Sequence, residues 1–322
     1  MKKLLLLITF TLGCLISVNA QARVGTFYIQ SVSHKKLNKK VLANFKKTKT
    51  YFVFLEEDSQ NYNRADYEKI LKEVWNVTPF EIITEDEVYD VAKEKSAFAQ
   101  FKAFSISKTG KSGAATRSYH VLDFWLLDKV KKINKEKDIF RVRTKRVGAI
   151  YFTPDIKSRQ QVVIGADTIT GDLMNYRLGY IKNYLQRINN GLKRNESFDM
   201  FDDYLNKEKL GTLKNKTLYM SEDFIYSYSP WGIKEKKNQM TPEKLFKDYK
   251  HSYKIISDNE LNDKILNNED FYYLMYNQNV GAKVISVING KTGEVIYNTY
   301  KNFSYNLKPK NIKLLSKKIS KY

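Results

Sequence analysis

Two stretches decide how this chain is read. Residues 68–90 run "EKILKEVWNVTPFEIITEDEVYD", and residues 243–263 run "EKLFKDYKHSYKIISDNELND". With two residues gapped, the pairs Glu68/Glu243, Lys69/Lys244, Lys72/Lys247, Ile82/Ile255, Ile83/Ile256, Glu87/Glu260 and Asp90/Asp263 are identical. Each stretch predicts an amphipathic helix, a short strand and a short acidic helix. In the first, Tyr67, Ile70, Leu71, Val74 and Trp75 recur at helical spacing. Pro79 forbids continuation, because its ring removes a donor and clashes with the preceding turn. In the second, Thr241 stands at a cap position and Pro242 in the first turn, a strong start signal.

The likeness extends outward from both stretches. Lys47-Thr48-Lys49-Thr50 and Lys214-Asn215-Lys216-Thr217 each lead into an apolar or aromatic strand. Downstream, three strands are expected in each copy, although the stretch 138–153 could hold a third and a fourth. In the second copy these are "FYYLMYN" (271–277), "AKVISVI" (282–288) and "EVIYNTY" (294–300), with Asn289-Gly290 and Thr292-Gly293 marking the last turn. The common order is strand, helix, strand, short helix, three strands. It predicts an α+β fold of two related lobes, each a mixed sheet with covering helices, arising by internal duplication. The expected boundaries are a first lobe over 21–165, a helical connector over 166–213 and a second lobe over 214–322. Val24 to Val32 is expected as an opening strand, Tyr176 to Leu192 as a helix, and the basic tail from Lys308 as a further helix.

Residues 1–20 read as an export signal rather than as part of the fold. Lys2 and Lys3 precede an apolar run from Leu4 to Val18, and Val18-Asn19-Ala20 has the small–polar–small pattern of a cleavage site. The competing reading is acylation at Cys14, which follows Leu12-Gly13. Thr11 stands where a lipobox has leucine, so cleavage after Ala20 is preferred. The expected product is exported, to the periplasm or the extracellular space, with no transmembrane span and at most a peripheral membrane association. Cys14 is the only cysteine. A chain cleaved after Ala20 therefore has no disulfide, no thiolate metal ligand and no cysteine nucleophile.

The chain has 56 Lys and Arg against 35 Asp and Glu, a formal charge of +21. Such a surplus attracts polyanions, acidic glycans and anionic lipid head groups. It is spread along the sequence, which fits a solvated surface equally well.

Ser105-Ile106-Ser107-Lys108, Ser257-Asp258-Asn259 and Lys291-Thr292-Gly293 imitate, in order, the motifs of penicillin-recognising serine enzymes. Those enzymes place the serine and lysine one helical turn apart. On a strand, Ser105 and Lys108 point to opposite faces. Gly110-Lys111-Ser112 lacks the earlier glycine of a phosphate loop. His34, His120 and His251 lack the paired spacing of a zinc site. No catalytic residue, metal site or cofactor is assigned.

Two stretches remain as candidate binding elements. "FIYSYSPW" places Phe224, Tyr226 and Tyr228 on one face of an extended segment with Trp231 beyond, suited to stacking or to completing the core. "FRVRTKR" alternates Arg141, Arg143 and Lys145 with Phe140, Val142 and Thr144. That alternation predicts a cationic row, suited to anion binding or to protecting a sheet edge.

"KTYFVFL", the helix from Asp66 and "FEIITEDEV" together resemble, in element order, the amino-terminal lobe of TolB-type envelope proteins. That resemblance covers about a hundred residues per lobe, includes no diagnostic motif and transfers no site residue. It implies a non-catalytic envelope binding or assembly component, whose partners would be anionic lipid, lipopolysaccharide, glycan or another envelope protein. The alternative is a secreted hydrolase with a site assembled in the inter-lobe cleft. A cleft joining nucleophile, base and oxyanion donors would favour the hydrolase, and an exposed aromatic or cationic patch would favour binding.

Overall fold

A computed structural model of the chain describes residues 21–53, 62–110, 113–137, 139–166, 169–230, 232–279 and 282–322. Residues 1–20, where the export signal is expected, and Trp231 lie outside the described residues.

The first half comprises β1 (Ala22–Val24), a small hairpin of β2 (Thr26–Phe27) and β3 (His34–Lys35), and α1 (Lys39–Lys46). It continues through β4 (Thr50–Val53), α2 (Arg64–Val74), β5 (Phe80–Ile83), α3 (Val88–Val91), β6 (Ala97–Gly110), β7 (Gly113–Asn134) and β8 (Ile139–Phe152). Two helices follow, α4 (Ile156–Ile164) and α5 (Leu178–Arg194). The strand expected over 24–32 is thus broken. A Cβ on Gly25 would lie 2.7 Å from the Lys35 carbonyl oxygen, so glycine permits the chain to leave the sheet and fold back as a hairpin. Asn63 caps α2 by accepting from the Ala65 and Asp66 amides, and the Asp66 carboxylate accepts from the Asn63 amide, a reciprocal capping box. The helix therefore begins earlier than its apolar spacing suggests.

The second half comprises β9 (Tyr204–Leu205), α6 (Lys207–Gly211), β10 (Leu218–Ser221) and a hairpin of β11 (Tyr228–Ser229) and β12 (Lys234–Glu235). It continues with α7 (Pro242–Phe246), β13 (Tyr253–Ile256), α8 (Asp258–Leu266), β14 (Tyr272–Asn279), β15 (Ala282–Asn289), β16 (Val295–Asn302) and α9 (Pro309–Lys321). Helix α7 is shorter than its sequence suggests. The Lys250 amide donates to the Ser316 hydroxyl of α9 at 3.0 Å, and a tertiary hydrogen bond replaces continued helix.

The fold is mixed α and β, with two six-stranded sheets compatible with two lobes. The first sheet has the order β5-β4-β6-β7-β8-β1 and the second β13-β10-β14-β15-β16-β9. In the first, β4 is parallel to β5 and β6, and the remaining pairs are antiparallel. In the second, β10 is parallel to β13 and β14, and the remaining pairs are antiparallel. Strand order and direction therefore coincide.

Helix α5 joins the halves. It packs on α2 and β1 on one side and on α8 on the other. At Gly179 a Cβ would lie 2.9 Å from the Asn262 carbonyl oxygen, so the absent side chain lets α5 and α8 approach closely. Arg177 and Tyr180 both donate to the Asp258 carboxylate. The Tyr273 hydroxyl donates to Asn183 Oδ1 at 2.9 Å. One apolar core runs through both halves, from Phe52, Trp75 and Phe124 through Tyr184 and Ile188 to Leu274 and Ile312. Burial of each such side chain contributes about 1.5–3 kcal/mol relative to exposure.

Candidate functional site

The β2–β3 hairpin presents an alternating row. Phe27 and Ile29 are buried, whereas Tyr28 is 74% exposed and Val32 49% exposed. Inward-facing groups hold the backbone of this tip. The Arg146 guanidinium donates to the Phe27 carbonyl at 3.0 Å, the Tyr151 hydroxyl to Ile29 at 3.0 Å, and Arg23 to Ser31 at 2.7 Å. Arg23 is itself fully buried, pairs with Asp199, and lies over the Phe27 ring at 4.0 Å. Asp199 also receives His34 Nδ1 at 3.1 Å. Burial raises the Asp199 carboxyl above its ordinary range, although the Arg23 guanidinium opposes that shift. Pinned in this way, the tip displays its outer side chains at low ordering cost.

Beside it, Arg117 on β7 and Asn302 and Phe303 at the end of β16 complete an open depression of about 360 Å³. Phe303 is 80% exposed and has φ of +48°. A bulky side chain rarely adopts that backbone conformation, and here the strain turns an aromatic ring outward without burying it. The depression thus combines Tyr28, Val32 and Phe303 with one guanidinium, from both halves of the chain.

A second surface lies on the extension of β7 and β8. Strand β6 pairs with β7 only as far as Leu126, so β7 and β8 continue as a two-stranded ribbon. On one side, Val130, Phe140 and Val142 pack with the cluster containing Val88 and Trp125, and Phe140 meets Tyr89 edge to face at 5.6 Å. Arg141, Arg143 and Lys145 are exposed. Cross-strand, Lys129 stands opposite Arg143 and Lys132 opposite Arg141. Like charges directly opposite one another destabilise a sheet by up to about 1 kcal/mol per pair. Asp128 relieves one of them by accepting from Arg143 Nε at 2.6 Å. Among the described residues, Lys129, Lys132, Arg141 and Lys145 have no ion-pair partner.

The "FIYSYSPW" stretch behaves differently. Phe224 and Tyr228 are buried in protein, with Tyr228 donating to the Pro154 carbonyl at 2.8 Å, and Tyr226 is half-buried. That burial removes Phe224 and Tyr228 from a ligand's reach. Ser105 lies on β6, Ser257 caps α8 through the Glu260 amide, and Lys291-Thr292-Gly293 occupy the β15–β16 turn. His120 is buried on β7, held neutral by desolvation and neighbouring Arg159, which push it down to about 3. Among the described residues, no group of three His, Cys, Asp or Glu could hold a metal ion. No helix among them is long and apolar enough to cross a membrane.

Sequence reasoning missed the hairpin tip and Phe303. The alternation of Phe27 and Ile29 with Tyr28, Gln30 and Val32 was a usable signal, but both rows contain apolar residues. Only packing distinguishes inward from outward there. Comparison with known proteins finds no matching family model, no matching curated protein and no matching solved structure.

Proposed function

We propose that this chain is an exported, non-catalytic binding component of a cell envelope that engages an anionic lipid or lipopolysaccharide surface. The observation that supports it best is the β7–β8 ribbon. Two like-charged cross-strand pairs stand there, of which Asp128 relieves only the Lys129–Arg143 pair, and an anionic surface would offset the repulsion that remains. Arginines at alternate positions can grip successive phosphate or carboxylate groups through paired hydrogen bonds. The pinned aromatic tip would add apolar contact where a surface has an acyl boundary. The bland role for the ribbon charges is protection of the unpaired β8 edge.

The duplication belongs to the same reading. The shared strand order and the paired sequence identities support descent of both lobes from one unit. The loose TolB-type resemblance supports an envelope setting by analogy alone.

The test is cosedimentation with vesicles containing anionic lipid or lipopolysaccharide, using wild type and the combined Arg141→Ser, Arg143→Ser, Lys145→Ser variant. The wild-type interaction should fade with added salt, and the variant should bind weakly. Unchanged binding with increased self-association would leave only edge protection. Binding to acidic glycan or to an envelope protein alone would replace the lipid reading.

A further inference from the structure

A third basic cluster lies away from both surfaces. Lys236 follows the β11–β12 hairpin, Lys308 and Lys310 flank the start of α9, and all three line an open depression of about 460 Å³ with Ser227 and Asn238. Lys236 and Lys308 are half-buried rather than extended into solvent. The Tyr305 ring orients both, with Lys236 Nζ 5.1 Å and Lys308 Nζ 5.7 Å from its centroid. Behind the wall, Lys283 on β15 is 1% exposed and donates to the Asn306 carbonyl and to Asn311 Oδ1, both at 2.7 Å. Both acceptors are neutral. Among the described residues, none of these four lysines has an ion-pair partner.

The electrostatics agree with the geometry. Burial, and then repulsion from Lys308, Lys310 and Lys236, lowers the Lys283 ammonium to about 7. Burial, Lys310 and Lys236 also lower Lys308. Three ammonium groups around one hollow, with a fourth buried behind its wall and no carboxylate among the lining residues, are an unfavourable arrangement unless something else supplies negative charge.

We infer that this depression is a phosphate-binding site, formed by Lys236, Lys308 and Lys310 over the buried Lys283. Ammonium groups act as point charges with rotatable donors and suit a compact tetrahedral dianion; the set contains no guanidinium to match a planar carboxylate. Ser227 and Asn238 add neutral hydrogen-bonding groups at the rim. The hollow leaves room for a substituent, so the group could belong to a soluble phosphate or to a lipid head group.

Two arms test this on the full chain. Equilibrium dialysis with inorganic phosphate is compared between wild type and the Lys308→Met, Lys310→Met double variant, whose folding is checked by thermal melting. A flotation arm uses phosphatidylcholine vesicles with and without phosphatidic acid. Loss of two ammonium contacts should weaken saturable binding at least about tenfold, taking roughly 0.7 kcal/mol or more per contact. Uptake in the dialysis arm identifies a soluble source, and retention only on phosphatidic acid vesicles that persists in the Arg141→Ser, Arg143→Ser, Lys145→Ser background and is lost with Lys308→Met, Lys310→Met identifies a head group. The Arg141→Ser, Arg143→Ser, Lys145→Ser variant should retain phosphate in dialysis, which separates this site from the ribbon. Absence of binding in both arms, or equal binding by the folded double variant, would overturn the assignment.

Discussion

The Tyr151 hydroxyl donates to the carbonyl oxygen of Ile29 across 3.0 Å, joining the buried middle of the first sheet to the tip of a surface hairpin. The phenolic oxygen of Tyr151 in turn accepts from Arg23 Nη1 at 3.1 Å. Burial holds this phenol in its neutral form, pushed up to about 12, so the donor survives across the physiological range.

Removing that hydroxyl tests the pinning. Tyr151→Phe keeps the ring and should cost about 1–3 kcal/mol, because it removes both the donor to Ile29 and an acceptor for the buried Arg23 guanidinium. Amide exchange at residues 28–32 should accelerate more than exchange in β7. Uniform acceleration across the sheet would show that the hydroxyl supports the whole fold and not the tip.

Phe303 offers a substitution with opposite effects on stability and on binding. Phe303→Gly relieves a backbone conformation that phenylalanine disfavours, and the exposed ring gives up little packing. The variant should be as stable as wild type or about 1 kcal/mol more stable, while losing affinity for anionic vesicles. A marked drop in melting temperature would contradict the strain argument.

The ribbon should show a similar trade. Lys132→Glu places a carboxylate opposite Arg141 and converts a repulsive cross-strand pair into an attractive one. A gain of about 0.5 kcal/mol is expected in low salt, together with weaker vesicle binding. If stability rises and binding is untouched, the ribbon is not the anionic contact.

His120 sets an acid limit. Its folded value near 3 lies below the ordinary 6.5, so the unfolded chain takes up a proton throughout that window and the folded chain does not. Stability must therefore fall as pH drops from about 6.5 towards 3, by about 3–5 kcal/mol from this residue at 1.4 kcal/mol per unit. In His120→Phe, the slope of melting temperature against pH between 6.5 and 4 should flatten. An unchanged slope would place the acid sensitivity elsewhere.

Lys283 has a dependence of the same sign in a more alkaline window. Its folded value near 7 is below the ordinary 10.5, so the destabilising contribution is complete below about pH 7 and fades as pH rises towards 10.5. The charged groups behind the shift are Lys308, Lys310 and Lys236, and Lys301 is its register partner on β16. Relative to wild type, Lys283→Met should lose its stability advantage, or deepen its deficit, steadily between pH 7 and 10. A difference independent of pH would mean that the amine is not buried in its charged form.

By itself, the sequence determined the repeated order of elements, because each element is announced by local chemistry. Pro79 and Thr241 punctuate helices, and β-branched runs such as "FEII" and "YKII" mark strands. It also placed Arg141, Arg143 and Lys145 on alternate positions beside Phe140 and Val142, since a two-residue period is a property of strand backbone alone. Tertiary structure decided everything that depends on which surfaces meet. Phe224 and Tyr228 are as aromatic as Tyr28 and Phe303, yet the first two enter the core and the last two face solvent. Lys236, Lys283, Lys308 and Lys310 are spread over 75 positions and show no motif. They converge because β15 lies beneath the start of α9 and the β11–β12 hairpin folds alongside it. Local patterning encodes periodicity along the chain, whereas burial and charge convergence arise from contacts between distant segments, which only the packed fold brings together.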